Sequence, residues 1–126
     1  MRILLGKEAN QFLEGFGIDV AYSIIVKNLE DGRKRISDFS FPLVLKAVSK
    51  SAIHKTEIGG VKIVKNREDF TKKFNELVEG VKRYKIKLDG VMMQEYVEGV
   101  EFIVGLKKDP TFGHVVMFGL GGVYVE

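Results

Sequence analysis

The chain has no cysteine, no tryptophan, only two prolines, and no apolar run long enough to cross a bilayer. The missing cysteine excludes a disulfide framework and any thiolate metal site. The apolar start Met1-Arg-Ile-Leu-Leu5 breaks at Gly6-Lys7-Glu8, too early for a signal peptide or a membrane anchor. A cytoplasmic protein with no membrane partner is therefore expected. Strong charge of one sign is lacking too: 20 Lys and Arg stand against 17 Asp and Glu, a net +3. Lysines alternate with acids, as in Lys72-Lys73 between Asp69 and Glu76, so nucleic acid is not indicated as a partner by charge alone. Neither G-x-x-x-x-G-K-[ST] nor G-x-G-x-x-G occurs, which excludes a P-loop and a dinucleotide-binding turn.

What is present suffices for one modest structural unit over 1–126, since 45% of the residues are hydrophobic and can fill a core. Ala9, Phe12, Leu13 and Phe16 predict an amphipathic helix over Lys7 to Phe16, stopped by Gly17. Ile18 to Val26 is β-rich, and Asn28-Leu-Glu-Asp-Gly32 reads as a turn or loop. Between Arg33 and Ser40 the apolar residues Ile36, Phe39 and Phe41 fit neither period. The clearest helix runs from Arg67 to Tyr84, where Phe70, Phe74, Leu77, Val78 and Val81 form one stripe. Asn66 is its expected N-cap, with Glu68 and Asp69 in the first turn. Val61–Val64 is a strand. Gly90–Val97, Val100–Leu106 and His114–Phe118 are three more, expected to form an antiparallel meander through turns at Glu98-Gly99 and Asp109-Pro110. The order of elements suits an α+β layer.

The chemistry concentrates in Phe41-Pro-Leu-Val-Leu-Lys-Ala-Val-Ser49 and Ile53-His-Lys-Thr-Glu-Ile-Gly-Gly-Val61. Lys46 is the one charge in an apolar strand, and such a lysine must reach water or find an anion. Gly59 and Gly60 let backbone N–H groups approach an anion closely, and Lys46 and Lys55 would neutralise it. This is a phosphate-handling composition. His54, in the same loop, stands beside that positive charge, whereas His114 opens a strand and is expected to be structural.

These two segments, with Val91-Met-Met-Gln-Glu-Tyr-Val, Glu101-Phe-Ile-Val-Gly-Leu-Lys-Lys-Asp-Pro-Thr-Phe-Gly and Val115-Val-Met-Phe-Gly-Leu-Gly-Gly-Val-Tyr-Val-Glu, resemble the ATP-grasp domain of ADP-forming acyl-CoA synthetases, the β subunit of acetate–CoA ligase. The likeness runs from about Lys7 to Glu126. It implies an ATP-grasp fold, here its N-terminal portion: a mixed or antiparallel sheet with packed helices. It implies a ligase that forms ATP from ADP and phosphate while splitting an acyl-CoA, with Mg²⁺, phosphate travelling through phosphohistidine. On this resemblance His54 is the phosphate-carrying histidine and Lys46 the lysine over the nucleotide phosphates. Lys55, Gly59 and Gly60 line the phosphates, Glu95 and Val97 meet adenine, and Glu98 meets ribose. Gly121 and Gly122 lie near the reacting phosphate, and Glu126 is a carboxylate near the metal.

The family continues past this point with a lobe that carries further metal ligands. The resemblance therefore implies a C-terminal lobe missing here, a chain inactive by itself, and a CoA-binding α subunit or domain as partner. An exposed strand edge would favour homo-oligomers. Two other readings stand beside this one. A non-catalytic nucleotide-binding or regulatory module would dispense with the metal ligands. A basic nucleic-acid-binding domain would use Lys82-Arg-Tyr-Lys-Ile-Lys87 and the pI near 9.1, although that run reads as a solvated helix C-terminus.

Overall fold

The computed structural model describes residues 4, 6–51 and 60–122. Its contacts divide the chain into two compact units, Met1–Tyr96 and Val97–Glu126.

In the first unit, helix α1 spans Lys7–Glu14, strand β1 Ser23–Val26, helix α2 Leu29–Arg35, β2 Leu43–Val48, β3 Val61–Val64, helix α3 Phe70–Arg83 and β4 Gly90–Glu95. The four strands form one sheet in the order β1-β4-β2-β3, and every neighbouring pair is antiparallel. Alternation along β2 decides its two faces. Leu43, Leu45 and Ala47 are fully buried, while Val44, Lys46 and Val48 are half-buried. The buried face joins Val91 and Met93 of β4, Val26 and Val64 to Phe70, Phe74, Leu77 and Val81 of α3. The i, i+4, i+7, i+11 spacing of α3 thus makes the stripe that closes the core.

Several expectations need correction. The predicted turn at Asn28–Gly32 is the start of α2. The Asn28 side-chain oxygen accepts the Asp31 N–H at 2.8 Å, and Asp31 Oδ2 accepts the Lys27 N–H at 3.3 Å, so two polar residues typical of turns instead cap a helix. Gly32 lies inside that helix because the ring of Phe70 occupies the space beside it: a Cβ there would stand 3.1 Å from Phe70 Cζ. The helix expected from Arg67 begins at Phe70, and Asn66 caps the turn before it by accepting the Asp69 N–H at 3.0 Å. Only Ser23–Val26 of the β-rich run Ile18–Val26 is strand. In the unreadable segment, Ile36 and Phe39 are core residues, delivered by a short 3₁₀ turn over Ile36–Asp38.

The meander is also revised. β4 is buried from Gly90 to Met93 and takes a central place between β1 and β2, as a strand apolar on both faces requires. It does not pair with the strand that follows.

In the second unit, β5 (Phe102–Asp109) and β6 (Gly113–Leu120) form a two-stranded antiparallel ribbon, in register from Phe102 opposite Leu120 to Asp109 opposite Gly113. Asp109 Oδ1 accepts the N–H groups of Thr111 and Phe112 at 2.8 and 2.9 Å, and Gly113 completes the reversal with φ +75°. No helix among the described residues is long and apolar enough to cross a membrane.

Candidate functional site: the lysine face of the sheet

The sheet face opposite the core is built by cross-strand register. Lys46 pairs with Met92 of β4 on one side and Val61 of β3 on the other, and Met92 pairs in turn with Ile25 of β1. The next row is Val44 with Gln94 and Ile63, and Gln94 with Ser23. Lys46 therefore sits in the middle strands of a mainly apolar platform with polar groups at one end.

The start of α1 overlies one corner of this platform. A Cβ on Gly6 would come within 3.3 Å of both Ile25 Cδ1 and Met92 Cε, and within 3.7 Å of Val48 Cγ1. Gly6 is in the left-handed region, with φ +55°, and a side chain there would meet these three neighbours. Asn10 Nδ2 donates to Ser23 Oγ at 2.9 Å and ties the helix to β1. Beside that bond lies a cleft of about 320 Å³, lined by Lys7, Asn10, Gln11, Glu14, Tyr22 and Ser23 among others.

Gly60 stands at the mouth of β3, where its carbonyl oxygen accepts the Ala47 N–H at 2.7 Å. The structure thus brings Gly60 next to Lys46. His54, Lys55 and Gly59 lie outside the described residues, as does Glu126. The outgoing end of β2 is clasped on the other side. Ser49, 1% exposed, donates through Oγ to the Lys87 carbonyl oxygen at 2.6 Å. The Lys50 N–H donates to Asp89 Oδ2 at 3.0 Å, and the Asp89 N–H to the Val48 carbonyl oxygen at 2.8 Å.

Glu95 ends β4 opposite Leu43. That places it three residues along the ladder from Lys46, or about 10 Å at the usual rise per strand residue. Its carboxylate accepts the Tyr22 N–H at 2.9 Å. Val97 and Glu98 belong to the second unit and are exposed there. The second glycine pair lies in that unit as well: the buried Gly121 donates its N–H to the Glu101 carbonyl oxygen at 2.9 Å, and the exposed Gly122 has φ +65° with Glu101 Oε2 2.9 Å from where a Cβ would be. His114 pairs with Lys108 in the ribbon.

Sequence reasoning missed Met92, Gln94, Ile25 and Ser23 as companions of Lys46. Alternation shows that Lys46 faces away from Leu45, but only the strand order shows who shares that face. Among the described residues no three histidine, cysteine or acidic side chains come together. The platform does fit a nucleotide. It has an apolar surface for a base, a lysine for phosphate, and a glycine at the adjoining turn.

The class is α+β: a four-stranded antiparallel sheet with one lysine above a mainly apolar face and helices on its back. The match is specific: the ATP-grasp domain model covers residues 1–126, and the chain belongs to that family. The ADP-forming acetate–CoA ligase I of Archaeoglobus fulgidus is 41% identical over 126 residues, 98% of this chain and 18% of that protein. The β subunit of the corresponding Pyrococcus furiosus ligase is 40% identical over 129 residues, 99% of this chain and 56% of that subunit. Among solved structures, an acetyl-coenzyme A synthetase from Ca. Korarchaeum cryptofilum, in complex with coenzyme A and Ca-AMPCP, superposes with a TM-score of 0.87 at 41% identity, covering 95% of this chain and 54% of that one. The same enzyme, in complex with coenzyme A and Mg-AMPPCP and with its phosphohistidine segment pointing towards the nucleotide-binding site, gives 0.70 at 39%, covering 97% and 52%. The chain therefore spans about half the length of the β subunit and of the solved chains.

Proposed function

We propose that this chain is the nucleotide-binding part of an ADP-forming acyl-CoA synthetase, and that it passes a phosphoryl group between a phosphohistidine and ADP. The observation that carries the reading is the place of Lys46: it lies on an apolar sheet face beside Gly60, in a chain 41% identical to an ADP-forming acetate–CoA ligase.

His54 is the phosphate carrier. A neutral imidazole is a competent nucleophile near pH 7, and Lys55 beside it stabilises the group it accepts. In the forward step a β-phosphate oxygen of ADP attacks the phosphorus, the P–N bond to His54 breaks, a P–O bond forms, and the imidazole leaves neutral after taking up a proton. Lys46 neutralises charge on the moving phosphoryl group, and backbone N–H groups at Gly59 and Gly60 hold its oxygens. Gly121 and Gly122 approach the same phosphate. Glu95 and Val97 meet the adenine edge, Glu98 the ribose, and Glu126 the metal side.

Mg²⁺ is the expected companion of the nucleotide, as in the Mg-AMPPCP complex of the Korarchaeum enzyme. A CoA-binding subunit or domain delivers the phosphoryl group, so the isolated chain turns over no acyl-CoA. A cytoplasmic location goes with these substrates.

The test is phosphoryl transfer to this chain from a complete CoA-binding subunit supplied with acyl-CoA and labelled phosphate. Acid-labile label on the wild type and none on His54→Ala is expected. Unlabelled, folded wild-type chain beside a labelled partner would overturn the assignment.

A further inference from the structure

On the helical side of the first unit, away from the lysine face, a pocket of about 220 Å³ is lined among the described residues by Arg33, Ile36, Arg67, Phe70 and Thr71. Its composition is unusual for a surface dent. Two arginines line it, no acidic residue is among its described lining, and two of its lining residues, Ile36 and Phe70, are buried.

The neighbouring cations are accounted for. Lys34 lies 3.7 Å from Glu30, and Arg35 Nε donates to Asp38 Oδ2 at 2.7 Å. Arg33 and Arg67 have no ion pair or hydrogen bond from their side chains among the described residues. The fold brings them to one pocket through Gly32. Lacking a side chain, Gly32 lets α2 lie directly on the ring of Phe70, the first residue of α3. Arg33 then shares the pocket with Arg67, just ahead of α3. The helix-interior glycine falls where the two helices touch.

We propose that this pocket is a second anion site, separate from the nucleotide face, and that it takes a phosphate dianion. Two planar guanidinium forks match the paired oxygens of a tetrahedral oxyanion better than they match a single carboxylate. The Thr71 hydroxyl offers a neutral donor beside the two exposed arginines. The volume is below the roughly 300–1,000 Å³ of pockets that enclose a drug-sized ligand, so the bound part is a single phosphate group. It comes either from free phosphate or from the terminal monoester of a ligand that extends into solvent.

The test is an NMR titration of the chain with inorganic phosphate at fixed ionic strength, following the Thr71 amide and the arginine Nε–H signals. A Lys46→Met background removes the lysine of the nucleotide face. Saturable shifts at Arg33, Arg67 and Thr71 are expected in both backgrounds. Arg33→Gln and Arg67→Gln should each weaken binding by roughly tenfold, the scale of one charged hydrogen-bond pair, while Lys34→Gln, with the same loss of charge next door, should leave it within about twofold. Phenyl phosphate binding more tightly than inorganic phosphate assigns the site to a monoester, and equal or weaker binding assigns it to the free anion. No saturable shift at these residues, or an equal loss in Lys34→Gln, would overturn the site and leave only a diffuse basic surface.

Discussion

Tyr22 and Glu95 hold each other twice: the Tyr22 N–H donates to Glu95 Oε1 at 2.9 Å, and the Glu95 N–H donates to the Tyr22 carbonyl oxygen at 2.9 Å. The second bond continues the β1–β4 ladder one step past Ser23, and the first locks it with a side chain. Glu95→Ala should lower stability by about 1 kcal/mol, the net value of one such bond. Glu95→Gln keeps an acceptor and should lose less. Urea unfolding of the two variants measures the difference, and an unchanged stability in Glu95→Ala would mean that the carboxylate contributes nothing to holding β1.

Ser49 is a buried polar residue of the core unit, and its hydroxyl donates to the Lys87 carbonyl oxygen at 2.6 Å while lying 2.9 Å from Ser51 Oγ. Ser49→Ala leaves that carbonyl without this donor, at a cost of about 1–3 kcal/mol. Ser51 is exposed, so water can replace its hydroxyl, and Ser51→Ala should cost under about 1 kcal/mol. Thermal unfolding of the two variants should rank them in that order.

Gly32→Ala sets two effects against each other. Alanine gains about 1 kcal/mol of helix propensity, but its Cβ would stand 3.1 Å from Phe70 Cζ. Phe70 is 1% exposed, and its ring centre is 5.9 Å from that of Phe74, so it has little room to move. Overpacking of about 1–3 kcal/mol should win. A rise in the unfolding midpoint for Gly32→Ala would show that α2 can shift off α3.

The same glycine shows where sequence reading stopped. Asn28, Asp31 and Gly32 are turn formers by local chemistry, and nothing nearby says that Phe70 lies over Gly32. The α3 stripe was legible because its period of 3.6 is a local signal, and β2 because its apolar residues are contiguous. The place of β4 was not legible, since a short link to the next strand suggests a hairpin. Its burial on both faces is satisfied only in the middle of a sheet, between partners distant in sequence. The site divided in the same way: Lys46 and Gly60 were visible as a lysine in an apolar strand and a glycine at its neighbour's mouth. Met92, Gln94 and Ile25 became part of the face only through register.

Lys46→Met tests the face directly. Methionine fills similar space beside Met92 and Val61 and removes the ammonium. If Lys46 meets nucleotide phosphate, ADP affinity should fall by roughly ten- to a hundredfold, the range for a hydrogen bond to a charged group. Lys46→Arg should recover only part of it, because a planar fork does not reproduce a point charge at the end of a flexible stem. Salt separates this contact from general basicity: wild-type affinity should fall as ionic strength rises, and the dependence should be shallower in Lys46→Met. Calorimetric titration with ADP at two salt concentrations reads both quantities. Wild-type affinity retained in Lys46→Met, with unaltered circular dichroism, would place the phosphates elsewhere and remove the observation on which the functional reading stands.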